Sequence, residues 1–281
     1  MLESVLWSVG IPAVAGGLLL AGCWWILGLG RWPRVRCGLI ALVLGGTAGG
    51  SFVASVGLPD WPPAQKWHGV FLMAAVLTGV GLIEAALPRR EWAGRFILAV
   101  AAGVSSVWLL PLPDQSPVTV AMLIGGSALL TGLLDGARAG AVMPLGGLVA
   151  AAAVSAMALV AGSMTLSLMA GALCAMCGVV LLLGWLAGGR VAGGASGGGM
   201  TLGGVVAVIA VTAWTYDFDG VPGWAWVVSG GGFALACILE VGPLGRWEGW
   251  PAAVIRSVVV IGPPAFVVVD QFDAVQGALG G

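Results

Sequence analysis

Charge is what this sequence has least of. Only 8% of its 281 residues are Asp, Glu, Lys or Arg, against 59% hydrophobic residues and a mean hydropathy of +1.06. A soluble globule of that length needs far more charge to cover its surface, so one or two soluble domains are excluded. Asparagine is absent, which removes every N-glycosylation acceptor. There is a single histidine, His68, so haem, zinc or di-iron sites built from histidine clusters cannot form within the chain. The basic residues form no stripe, and a formal net charge of −1 gives no support to nucleic-acid binding. The five cysteines, Cys23, Cys37, Cys174, Cys177 and Cys237, lie within or at the edges of apolar segments, where a small polarizable side chain packs well. No disulfide framework, metal site or cofactor is expected. Cys174 and Cys177 have redox spacing, but with no histidine or carboxylate near them in sequence they read as packing.

What the sequence does have is long apolar runs. A spanning helix needs about 20 mainly apolar residues to cross roughly 30 Å of hydrocarbon. Runs of that kind, bounded by charge, proline or tryptophan, cover residues 4–29, 37–57, 69–87, 96–112, 118–137, 141–161, 165–187, 200–216, 224–243 and 251–269. Unpaired strands are implausible there, because each unsatisfied backbone group costs several kcal/mol in lipid. The expected fold class is therefore all-α: a polytopic membrane bundle of about ten short-looped helices, forming one transmembrane domain over 1–281. The 49 glycines are interspersed among Leu, Val and Ala, which suits close helix packing better than disorder. The least secure boundary falls in 139–189, which carries no charge and is divided only by Gly162-Ser163-Met164. Two full spans and a re-entrant hairpin are both compatible with it.

The few charges are ordered. Arg31, Arg34, Arg36, Arg89, Arg90, Arg95, Arg138, Arg190 and Arg246 fall on one side of the ten expected spans. The other side has only Lys66 among basic groups, with Glu3, Asp60, Asp114, Asp217, Asp219, Asp270 and Asp273. The positive-inside rule then places the arginine side in the cytoplasm and both termini outside. Tryptophans bracket the runs at both ends, as amphipathic rings at headgroup level should. Ten of the eleven basic residues are arginine, a bias that suggests a GC-rich bacterial genome and hence a bacterial cytoplasmic (inner) membrane. Leu20-Ala21-Gly22-Cys23 has the form of a lipoprotein cleavage box, but Glu3 precedes it and the apolar run continues past it, so cleavage is not expected.

Ionisable groups inside hydrocarbon are expensive, which makes each one a candidate functional residue. The candidates here are Glu84, Asp135, Glu240 and Arg256. The acids sit near the arginine ends of their runs, and Arg256 enters the tenth run from the same side. The plain expectation is an interfacial cluster in which Arg256 neutralises one or more of the acids; the sharper one is a proton or cation relay. Pro263 and Pro264 remove backbone donors from the tenth run and mark a candidate helix break. Broken helices line many transport sites. Asp217-Phe218-Asp219-Gly220 resembles the start of a calcium loop but lacks the later ligands, so an aspartate turn is expected. Gly194-Ala195-Ser196-Gly197 matches a rhomboid-type nucleophile pattern, yet the expected topology puts Ser196 and His68 on opposite faces.

No catalytic constellation remains. Two functions stay open: a small permease or channel-like carrier of a small solute or ion, and a non-catalytic structural or assembly subunit of a larger membrane complex. The expected partners are the lipid bilayer and other membrane subunits, with no nucleic acid. A carrier should enclose a mid-membrane cavity; a scaffold should have a filled interior.

Overall fold

The computed structural model describes residues 2–26, 33–59, 65–88, 91–110, 116–136, 142–186, 198–217, 220–231 and 250–271. Every regular element among them is helical. The chain runs as α1 (Leu2–Val5), a π-helical turn (Leu6–Gly10), α2 (Ile11–Ile26), α3 (Pro33–Val56), a 3-10 turn (Lys66–His68), α4 (Gly69–Ala86), α5 (Trp92–Leu109), α6 (Pro117–Gly136), α7 (Val142–Val160), α8 (Met164–Leu186), α9 (Gly199–Thr215), α10 (Gly223–Gly231) and α11 (Trp250–Asp270).

Seven helical stretches, from Leu6–Cys23 through Met164–Leu186, are long and apolar enough to cross a bilayer. The shortest of them, at 18 residues, extends about 27 Å, close to the hydrocarbon thickness. Seven spans, and not the expected ten, are therefore what length and composition establish among the described residues. α9 is apolar but has 17 residues. Of the expected ninth span, α10 is described for nine residues, and 232–243 lie outside the described residues.

Two helices begin earlier than expected. α3 starts at Pro33 and α5 at Trp92, so Arg34, Arg36 and Arg95 stand in first turns of helices and not in loops. Proline suits the first helical position, and arginine is a good helix former whose long stem carries its charge away from its own Cα. The uncharged stretch 139–189 contains two antiparallel helices of spanning length, α7 and α8, packed along each other. Their turn is a Schellman cap: Ser163 N–H donates to Ala158 O at 2.8 Å and Gly162 N–H to Leu159 O at 3.0 Å. Gly162 has φ +75°, which glycine adopts without the steric cost a Cβ would impose.

Sequential helices pair as hairpins, α3 with α4, α5 with α6 and α7 with α8, and α9 threads between them against α4, α6, α7 and α10. All residues from Gly199 to Ala213 are buried, so α9 is the core of the bundle. Glycines sit at the closest crossings. A Cβ on Gly103 would stand 2.7 Å from the Ala121 carbonyl oxygen, and one on Gly125 would stand 2.7 Å from that of Ala99, so α5 and α6 touch backbone to backbone. The outer surface is apolar: Leu18, Ile97, Val104, Met122, Leu182, Val258 and Phe266 are all exposed.

Candidate functional site

Glu84 stands in the last turn of α4 and Arg95 in the first turn of α5, joined by the short segment 87–91. Each is close to its helix end, so the turn brings them to the same depth. Arg95 Nε donates to Glu84 Oε1 at 3.2 Å, and the residues are only 4% and 2% exposed. The second carboxylate oxygen has its own partner: Met200 N–H donates to Glu84 Oε2 at 3.2 Å. Met200 lies in the first turn of α9, whose N-cap, Gly198, makes no side-chain cap of its own. A helix N-terminus presents unsatisfied N–H groups and a partial positive charge, so a carboxylate there is favourable. Glu84 thus serves as a cap for α9 supplied from another helix.

The space for this carboxylate is made by α6. A Cβ on Gly132 would lie 2.8 Å from Glu84 Oε1. The next residue of α9, Thr201, donates its Oγ1 to Leu77 O at 3.0 Å and ties α9 to α4 again. Four helices therefore meet at one buried anion: α4 carries it, α5 neutralises it, α9 is capped by it and α6 yields to it. A carboxylate held by an ion pair and a main-chain N–H is positioned, not poised to exchange ligands.

The other sequence candidates are placed differently. Asp135 stands in the last turn of α6, three residues beyond Gly132 and so toward the same end as Glu84; its side chain lies outside the described residues. Glu240 also lies outside them. Arg256 is half-buried on α11, whose main packing partners are α7 and α10. Arg95, read from sequence as a turn arginine, is the guanidinium paired with Glu84. Pro263 and Pro264 sit within α11, which continues as one helix on both sides of them; Pro264 is buried and Pro263 half-buried.

At the other end of α9, Asp217 Oδ1 accepts from Gly220 N–H at 3.0 Å and its Oδ2 accepts from Trp226 Nε1, on α10, at 3.3 Å. The carboxylate closes its own turn and anchors a tryptophan that is 1% exposed. Among the described residues no group of three or more His, Cys, Asp or Glu side chains is arranged to hold a metal ion.

Among the described residues two clefts are large enough for a ligand. The wider, of about 610 Å³, lies between the N-terminal helix, α3 and α4 and is lined by Trp7, Pro12, Leu42, Val53, Phe71 and Ala75. The other has a volume of about 340 Å³, opens between α6, α9 and α10, and is lined by Leu123, Leu130, Ala207, Val211, Trp214 and Trp226, with Ser127 as a rare polar group. Its chemistry suits hydrocarbon and not ions.

The fold and these sites define an all-helical multi-pass protein of membrane type. No protein-family model matches the sequence, and no curated protein matches it either.

Proposed function

We propose that the chain is a ten-span protein of a bacterial cytoplasmic membrane, with both termini outside, that works as a non-catalytic subunit in a larger membrane assembly. The observation that carries this is the burial of α9 at every residue from Gly199 to Ala213. A solute carrier needs a polar route near its centre, and here the centre is a helix packed on all sides. Its buried acid is engaged by Arg95 and Met200. The tight glycine crossings and the apolar exterior are what a close-packed, lipid-facing scaffold requires. Support for the topology comes from Trp25, Trp92 and Trp185 at the arginine ends of their helices and Trp7, Trp108 and Trp224 at the opposite ends, all exposed as interfacial rings should be.

The permease reading draws its support from clefts such as the lateral one between α6, α9 and α10. Its lining favours an apolar or lipid-like cargo over an ion.

The test compares flux with assembly. The purified protein in liposomes should pass no more water, ions or small neutral solutes than empty vesicles do. Extracted from its own membrane in nanodiscs, it should form a particle heavier than the chain's 28.0 kDa that contains a second polypeptide in fixed ratio. Solute flux abolished by Arg256→Gln or Glu240→Gln, or a particle of this chain alone, overturns the subunit reading.

A further inference from the structure

We propose that the seam between the N-terminal helix, α3 and α8 binds water in an intramembrane file along the hydroxyls of α3. Thr47, Ser51 and Ser55 are spaced four residues apart, so they form a ladder on one face of that helix. Its outer rung is already joined to the N-terminal helix: the Ser55 and Ser8 hydroxyl oxygens are 3.0 Å apart, and Ser55 Oγ also donates to Ser51 O at 2.7 Å. The two inner rungs are different. Thr47 is 3% and Ser51 0% exposed, and neither hydroxyl oxygen has a hydrogen-bond partner among the described residues. Thr47 Oγ1 points at α2, where a Cβ on Gly16 would lie 3.2 Å from it and 3.1 Å from Met176 Sδ of α8.

Buried hydroxyls in apolar surroundings are costly without partners, and one water can supply them. Hydroxyls four residues apart on a helix lie roughly 5–6 Å apart, the span of one water bonded to both at about 2.8 Å each. Pro12 has no N–H to give to the carbonyl of the turn before it, and that turn, Leu6–Gly10, is π-helical. π-turns recur where a helix departs from regular bonding for a purpose. The polar groups that line the ladder, Thr47, Ser51, Ser55 and Ser8, are hydroxyls with no carboxylate among them. A bare cation would enter low dielectric without a counter-charge, whereas water fits as a neutral donor and acceptor.

Microsecond X-ray hydroxyl-radical labelling of the full chain in nanodiscs tests this, because radicals formed from bound water oxidise the nearest side chain even in a dry core. Met73, Met157 and Met176 are all 0% exposed, but only Met176 borders the ladder at Gly16. Met176 is expected to be oxidised several-fold faster than the other two, and Thr47→Val with Ser51→Ala to reduce it to their rate. Equal rates for all three methionines, or a Met176 rate unchanged by the double substitution, overturn the proposal. Thermal unfolding separates two alternatives. A rise in Tm for Thr47→Val alone means a dry seam, since removing an unpartnered hydroxyl then stabilises. A Tm that depends on sodium but not on choline means a cation. Either result refutes the water file; a fall in Tm that is insensitive to the salt supports it.

Discussion

Replacing Arg95 with methionine keeps most of the side chain's bulk in α5 but leaves Glu84 without its counter-charge in a site 2% exposed, with Met200 N–H as its remaining partner. Removing one member of a buried ion pair costs about 3–5 kcal/mol, because the other charge stays behind uncompensated. For a chain of this size that corresponds to a fall in Tm on the order of 10 °C. The reverse substitution, Glu84→Gln, should cost less, about 1–2 kcal/mol. Glutamine still offers Met200 an acceptor, and Arg95, in a first helical turn, can swing its guanidinium toward the headgroups. The decisive quantity is the double variant. With Glu84→Gln and Arg95→Met together no charge is stranded, so it should be more stable than Arg95→Met alone, giving a coupling energy above about 1 kcal/mol. Thermal denaturation in detergent, followed by the loss of monodisperse protein on size exclusion, measures all three. A double variant no more stable than Arg95→Met, or a single-substitution loss under about 1 kcal/mol, would refute the claim that Arg95 is there to neutralise Glu84.

The other predictions concern packing and topology. Gly125→Ala should separate α5 from α6, since its Cβ would meet the Ala99 carbonyl at 2.7 Å, at a cost of about 1–3 kcal/mol. Gly126→Ala, next to it with nothing within 4 Å of the new Cβ, should leave Tm unchanged or raised; equal losses for both would show that the backbone contact is not limiting. Gly162→Val places a β-branched side chain at φ +75° and should lower stability by about 1–3 kcal/mol, read as loss of the folded fraction on heating. Single cysteines at 65 and 196, in a chain with its own cysteines replaced, should react with an impermeant maleimide from opposite sides of the membrane. Labelling of both from one side would remove the ten-span topology.

The helices were legible because a bilayer demands a minimum length of apolar chain, and nothing else in the sequence could satisfy that demand. Their ends were less so. Arg95 was read as marking a turn because charge normally does, yet it lies inside α5 and provides the counter-charge for Glu84. The signal was present: Glu84 stands near the end of one apolar run and Arg95 near the start of the next, so a tight hairpin has to set them side by side. The cap of α9 was not legible. Gly197, Gly198 and Gly199 look like linker and offer no capping side chain, and the group that caps Met200 comes from 116 residues earlier. No local pattern encodes a partner at that distance. Gly132 was equally hidden, because an empty position matters only once the carboxylate that fills it is known.

That remote cap implies an order of assembly. Glu84 and Arg95 are separated by 11 residues, so the ribosome delivers acid and base together and the first hairpins can enter lipid already neutralised. The segment from Gly199 to Thr215 emerges only after eight helices have been made. Its leading N–H groups then meet a carboxylate waiting in a slot that Gly132 keeps clear. The N-terminus of this core helix is received by a socket that α4, α5 and α6 have already built, and a nascent chain halted before residue 199 should expose that socket to any quality-control factor able to recognise an unfilled groove.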